Sequence, residues 1–162
     1  MTSAIQLTFR AAREDDFCYC WAMYAAESAE MLHSLNLDKA ADKSAQAEHF
    51  RKRWQASETR IIYLGTGDVG WLQSRPEDGT LFLAQIFINP DFQNQGLGTA
   101  VINHLLGEAA AAGQALTLGV IRLNPAMRLY KRLGFYVTHE DEAKAYMRRE
   151  LGVAAPIANL KG

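Results

Sequence analysis

The six residues Gln93-Asn94-Gln95-Gly96-Leu97-Gly98 constrain this chain more than any others. They lie between a strand-like run, Leu81 to Asn89, and a helix-like run that begins near Leu97. Two glycines one residue apart at the mouth of a helix let several backbone N–H groups converge on one point, and the helix dipole adds partial positive charge there. Such a point binds phosphate. A P-loop requires Gly-Lys-Ser/Thr, but Gly98 is followed by Thr99-Ala100 with no lysine. A dinucleotide fingerprint requires a third glycine where Val101 stands, a tight strand-to-helix turn and an acid about 20 residues further on. Pro90 to Gln95 intervene instead, and no such acid ends a second strand.

The remaining pattern, Gln/Arg-x-x-Gly-x-Gly/Ala, resembles the pyrophosphate-binding signature of the GNAT superfamily of acyl-CoA N-acyltransferases. A second stretch strengthens the resemblance. Asn124-Pro125-Ala126-Met127-Arg128-Leu129-Tyr130-Lys131-Arg132-Leu133-Gly134-Phe135 is similar to that superfamily's Asn-x-x-x-x-Leu-Tyr-x-x-x-Gly-Phe segment, at the expected distance downstream. In outline the resemblance runs from Leu7 to Leu151. Its specific residues are confined to Ile86–Val101 and Asn124–Phe135.

The chain of 162 residues is 49% hydrophobic, enough for one substantial core, which favours a single domain over 1–151. Gly152 to Gly162, rich in Ala and Gly, reads as a frayed tail. A net charge of −1, with no basic cluster beyond Arg51-Lys52-Arg53, argues against nucleic acid as a partner. Those three residues read as a solvated helix face. No apolar run is long enough to cross a membrane and Met1 to Arg10 lacks a signal peptide's apolar core, so the expected location is the cytoplasm. Cys18 and Cys20 are then reduced. Their Cys-x-Cys spacing puts the sulfurs on different helix faces, and no His or Cys follows at zinc spacing. Both are read as packing residues, and no metal is expected.

Hydrophobic periodicity sets out the elements. Ile5 to Arg10 alternates as a strand, and Glu14-Asp15-Asp16 opens a helix that runs to about Leu32. A second helix spans Ser44 to Ser57. Arg60 to Leu64 and Val69 to Ser74 flank Gly65-Thr66-Gly67-Asp68 as a hairpin; Pro76-Glu77-Asp78-Gly79 turns into the strand Leu81 to Asn89, which Pro90 stops. Leu97, Val101 and Leu105, with Ile102, Leu106 and Ala109, give the next helix a broad apolar face closed by Gly113. Leu116, Leu118 and Val120 alternate as a strand. Asn124 caps a short helix with Pro125 at its first position and Gly134 past its end. Phe135 to Thr138 and Ala145 to Leu151 close the chain as a hairpin. The result is an α/β mixed sheet with the order β-α-α-β-β-β-α-β-α-β-β, which is the order the superfamily resemblance implies.

That resemblance also assigns chemistry. It implies acetyl-CoA as co-substrate, its pyrophosphate on the N–H groups of Gln95, Gly96, Leu97, Gly98 and Thr99, with Gln93 adding a side-chain donor. The pantetheine amides would pair with the backbone of Phe87 and Ile88 like an added strand, which requires the neighbouring strand Leu116 to Val120 to splay away. Tyr130 lies on the inward face of its helix with Ala126, Leu129 and Leu133. In the superfamily it protonates the departing thiolate, a transfer suited to a phenol near about pH 10 and a thiol near about 8.5. The alternative is a core tyrosine bonded to backbone. Asn124 is first a helix cap and secondarily a contact to cofactor or acceptor.

Many relatives carry a glutamate base on the strand before the loop. Here Leu81 to Ile88 contains no acid, and Gln85 is its only polar side chain. An amide accepts no proton at neutral pH, so Gln85 either orients the acceptor, holds a relay water, or simply bonds across the sheet. No covalent nucleophile is apparent, so the amine attacks directly in a ternary complex. Phe17, Trp21 and Tyr24 form an aromatic stripe read as core. Glu27, Glu30 and His33, with His139 and Glu140-Asp141-Glu142, are acids and imidazoles suited to attract a cationic amine or to ordinary solvation. His49 and His104 read as surface residues. The expectation is an N-acetyltransferase acting on a primary amine of a small molecule, with a homodimer possible by resemblance. Its rivals are a protein or peptide acetyltransferase and a non-catalytic acyl-CoA sensor. The ribosomal-protein alanine acetyltransferases are a poor match at the chain end, which lacks their Tyr-Tyr and Asp-Ala-x-x-Met stretch.

Overall fold

A computed structural model of the chain describes residues 6–34, 43–122 and 124–151. The tail expected over Gly152 to Gly162 lies outside the described residues. Seven strands hydrogen-bond in the order β1-β2-β3-β4-β5-β7-β6: β1 Leu7–Ala11, β2 Thr59–Leu64, β3 Gly67–Glu77, β4 Thr80–Ile88, β5 Leu116–Ile121, β6 Tyr136–Glu140 and β7 Lys144–Arg149. Four α-helices accompany them, α1 Phe17–Ser34, α2 Lys43–Arg53, α3 Leu97–Ala111 and α4 Ala126–Arg132, in the expected order. The β4–β5 ladder is parallel, whereas β1–β2, β2–β3, β5–β7 and β6–β7 are antiparallel. The sheet is therefore mixed.

The described residues group into two compact units, Gln6–Gln73 with Ile86–Phe92, and Ser74–Gln85 with the residues from Gln93 onward. In the first, Cys20, Phe50, Trp54, Ile61 and Trp71 are buried, and Phe17, Trp21, Tyr24 and Phe87 pack half-buried against them. The aromatic stripe of α1 is thus core, as read: the Tyr24 ring lies 4.7 Å from Phe50 and 5.8 Å from Phe87. Cys20 packs, but Cys18 is exposed, which corrects its reading as a packing residue. At i, i+2 the two sulfurs project about 200° apart, so only one can face inward. Asp16 holds the entry to α1 by taking the Arg13 N–H at 2.7 Å and pairing with Arg10 at 3.0 Å. In the second unit, Val101, Ile102 and Leu105 of α3 and Leu116, Leu118 and Val120 of β5 are buried, and α3 packs on β5.

Local chemistry explains the remaining differences. α2 stops at Arg53, and a separate 3-10 turn, Ala56–Glu58, occupies the end of the longer helix expected there. Between β3 and β4 the turn is only Asp78-Gly79, both with positive φ (51° and 77°), the residue pair that a two-residue hairpin turn prefers. Pro76 therefore lies within β3 and not in the turn. His49 and His104 are exposed, each bonded one turn along its helix, to Arg53 and Glu108.

Candidate active site

The glycine loop folds through two left-handed residues, Asn94 at φ 62° and Gly96 at φ 82°. Glycine adopts this conformation without a Cβ penalty, so Gly96 sets the sharp entry to α3. The first backbone bond of the helix runs from the Ala100 N–H to the Gly96 carbonyl at 3.0 Å, and no side chain caps the end. The N–H groups of Leu97, Gly98 and Thr99 precede that bond and lie at the positive end of a 15-residue helix. Gly98 plays a different part. Its φ is not left-handed, and a Cβ there would meet Leu129 Cδ2 of α4 at 3.6 Å. Gly98 is thus the point where the two sequence motifs touch.

α4 is fixed at both ends by the residues that the motif supplies. Asn124 Oδ1 accepts the Ala126 N–H at 2.8 Å, the N-cap bond expected of it. Past the other end, Gly134 takes φ 98°, and the Phe135 N–H donates to the Tyr130 carbonyl at 3.0 Å. Tyr130 is buried, with its ring edge-on to Phe135 at 5.7 Å. Arg149 completes the cap. Its Nε donates to the Leu133 carbonyl at 3.0 Å, placing a cation at the negative end of α4.

The ladder between β4 and β5 is short. β4 and β5 are paired at Leu81 with Leu116, Phe82 with Thr117 and Leu83 with Leu118, and the ladder ends there. β5 continues through Gly119 to Ile121 bonded only on its other side, to Tyr146, Ala145 and Lys144 of β7. Ala84 and Gln85 thus carry β4 onward half-buried and outside the β5 ladder. Gln85 is there, and no acid accompanies it on β4.

At the far end of β4, Phe87 is clamped from β3. Its ring stacks on Trp71 at 4.9 Å, and its carbonyl lies 2.1 Å from where a Cβ on Gly70 would stand. Asn89 then donates its N–H to Val69 at 2.8 Å. Only glycine allows that approach. Sequence reasoning missed Gly70 as the residue that permits this approach, and its signal was an isolated glycine inside the apolar run Val69 to Leu72.

On the turn between β6 and β7, exposed Asp141 is held by local hydrogen bonds. Asp141 accepts the N–H groups of Ala143 and Lys144 and the Tyr146 hydroxyl, which hold its carboxyl below the usual range. His139 stacks on Tyr146 at 4.5 Å. Among the described residues no group of three His, Cys, Asp or Glu is placed to hold a metal, and no helix is long and apolar enough to cross a membrane.

Residues 21–135 match the acetyltransferase (GNAT) family, and the chain belongs to it. An uncharacterized N-acetyltransferase of Methanocaldococcus jannaschii is 31% identical over 84 residues, 50% of this chain and 36% of that protein. The ribosomal protein bS18-alanine N-acetyltransferase of Escherichia coli K12 is 39% identical over 61 residues, 36% of this chain and 40% of the enzyme. The match thus spans well under half the length of these relatives. Among solved structures, the PaiA N-acetyltransferase of Thermoplasma acidophilum in complex with coenzyme A superposes with a TM-score of 0.70 at 12% identity, covering 90% of this chain and 99% of that one. The E. coli ribosomal-protein-S18-alanine N-acetyltransferase gives 0.61 at 22% identity, covering 93% and 97%. At such identities the likeness is one of fold.

Proposed function

We propose that residues 1–151 form an acetyl-CoA-dependent N-acetyltransferase domain that acts on a primary amine of a small molecule by direct attack. The observation that carries this reading is the row of N–H groups at Leu97, Gly98 and Thr99, set by left-handed Asn94 and Gly96. Three convergent donors at a helix start suit a pyrophosphate. Gln93 and Gln95 are the polar side chains beside them, and the backbone of Phe87 and Ile88 offers the strand edge for the pantetheine amides. Acetyl-CoA supplies an acyl group already activated as a thioester. The protein's own residues orient and move protons. Gln85 orients the acceptor or a water that carries its surplus proton to solvent. As the amine nitrogen bonds to the acyl carbon and the C–S bond breaks, the Tyr130 hydroxyl gives its proton to sulfur and regains one from solvent. Asn124 fixes the helix that aims Tyr130.

A protein acceptor is the second reading, favoured by the identity of 39% with the bS18-alanine enzyme over 61 residues. An alanine-initiated peptide tested beside small amines separates the two. Binding itself is tested by calorimetry with acetyl-CoA on wild type and Gly98→Val, with thermal melting to check folding. The branched side chain crowds both the donors and Leu129, so affinity should fall at least about tenfold. Equal affinity in a folded variant sinks the assignment.

A further inference from the structure

A cavity of about 260 Å³ lies wholly within the second unit and shares no lining residue with the glycine loop, α4 or β4. Leu106, Ala109 and Ala110 of α3 and Leu116 of β5 give it apolar walls, and Gln114 and Arg149 add polar atoms. Gly107 of α3 also lines it, and a Cβ at that position would meet nothing within 4 Å. Glycine inside a helix costs stability relative to alanine, so position 107 leaves space open at a cost that no packing contact requires. Arg149 is 8% exposed. Its Nε donates to the Leu133 carbonyl at 3.0 Å and its Nη1 to the Glu150 carbonyl at 3.2 Å, both neutral acceptors. Among the described residues no carboxylate pairs with this guanidinium, and Nη2 has no hydrogen-bond partner. Glu150, the other charged residue at the cavity, is engaged elsewhere: its Oε2 accepts the Arg148 Nε at 2.8 Å and the Tyr136 hydroxyl. A buried cation is ordinarily paired, because neutral carbonyls offset only part of the hydration it loses.

We infer that this cavity binds a small aliphatic monocarboxylate, its carboxylate on the Nη2 edge of Arg149 and its hydrocarbon body against Leu106, Ala109 and Leu116. The guanidinium is held before any ligand arrives, by its two main-chain bonds and by Gly134, where a Cβ would stand 2.7 Å from Nε. A water takes about 30 Å³ of liquid, so the volume holds roughly eight groups of that size, which is a six-carbon acid. A phosphate would leave oxygens against alkyl walls, whereas a carboxylate is matched by one guanidinium edge. The charge of Arg149 excludes an ammonium ligand. α3 ends beside the cavity, and its carbonyls at Glu108, Ala109 and Ala110 already accept the N–H groups of Ala112, Gln114 and Gly113, which lessens their repulsion of an anion. The site is independent of the acetyltransferase reading, with which it shares no residue.

The test is calorimetry of the full chain with 4-methylpentanoate and with its neutral counterpart 4-methylpentanamide, in wild type, Gly107→Leu, Arg149→Gln and Arg149→Lys, with thermal melting of each protein. Wild type should bind the acid with a Kd of about 0.1–1 mM and the amide at least about tenfold more weakly. Gly107→Leu fills the open space and improves the helix, so it should melt no lower than wild type and lose at least about tenfold in affinity for the acid. Arg149→Gln should bring acid and amide within about threefold of each other. Because Arg149 also holds the end of α4, Arg149→Lys keeps the charge without the planar fork, and it should weaken the acid at least about threefold. Saturating coenzyme A should leave affinity for the acid unchanged. An acid that binds wild type no tighter than its amide, or that binds folded Gly107→Leu as it binds wild type, overturns the assignment. So does an absence of binding up to about 10 mM, and so does competition with coenzyme A, which puts the acid in the cofactor site instead.

Discussion

Tyr130 shows how much of a side chain's placement is set by its immediate neighbours. Its helix has only seven residues, too short to be stable alone, yet a cap at Asn124, a left-handed glycine at 134 and Arg149 on the last carbonyl hold it. The Phe135 ring packs edge-on against the Tyr130 ring at 5.7 Å. A positioned general acid contributes typically about 10²–10⁴ in rate, so Tyr130→Phe should lower kcat by that order while acetyl-CoA affinity changes little. Steady-state kinetics alongside calorimetry checks both halves. Turnover within a few-fold of wild type makes Tyr130 a packing residue. The cap, the tyrosine and the glycine were legible because each is a local requirement written at fixed spacing. Arg149 was not legible: it lies 15 residues beyond Gly134 and reaches α4 only through the sheet.

At the scale of elements, β4 carries the consequence. Its first three pairs with β5 hold it parallel to that strand, and its last residues follow β3, where Gly70 lets the backbone of Phe87 come close. Gly70→Ala puts a methyl group 2.1 Å from a carbonyl oxygen, and only backbone movement relieves that clash. Overpacking of this kind costs about 1–3 kcal/mol. The variant should unfold earlier in urea by that amount and bind acetyl-CoA more weakly, whereas unchanged stability contradicts the close approach. Periodicity gave the existence and order of the strands, since alternation and turn residues are local. It could not give the end of the β4–β5 ladder, which depends on residues more than 30 positions apart, and it misplaced Pro76 because the Asp78-Gly79 pair alone makes the turn. The same limit applies to α1. The sequence left Glu27 between attracting a cationic amine and ordinary solvation, while the inward direction of its face emerges only from the packing of Cys20 and Tyr24.

For the whole molecule, β4 carries no acid, and under the proposed reaction that makes the protonation of the acceptor the controlling variable. A primary amine like that of lysine has a pKa of about 10.4, so its reactive neutral fraction rises roughly tenfold per pH unit from neutrality to about pH 9. The most direct test of the account follows amine-dependent release of thiol from acetyl-CoA, as kcat/KM against pH, for two amines of different pKa. The account predicts thiol release that requires the amine, with a midpoint that moves with the amine's own pKa. Acetyl-CoA bound tightly with no amine-dependent release, or one midpoint near about pH 6–7 for both amines, would contradict it.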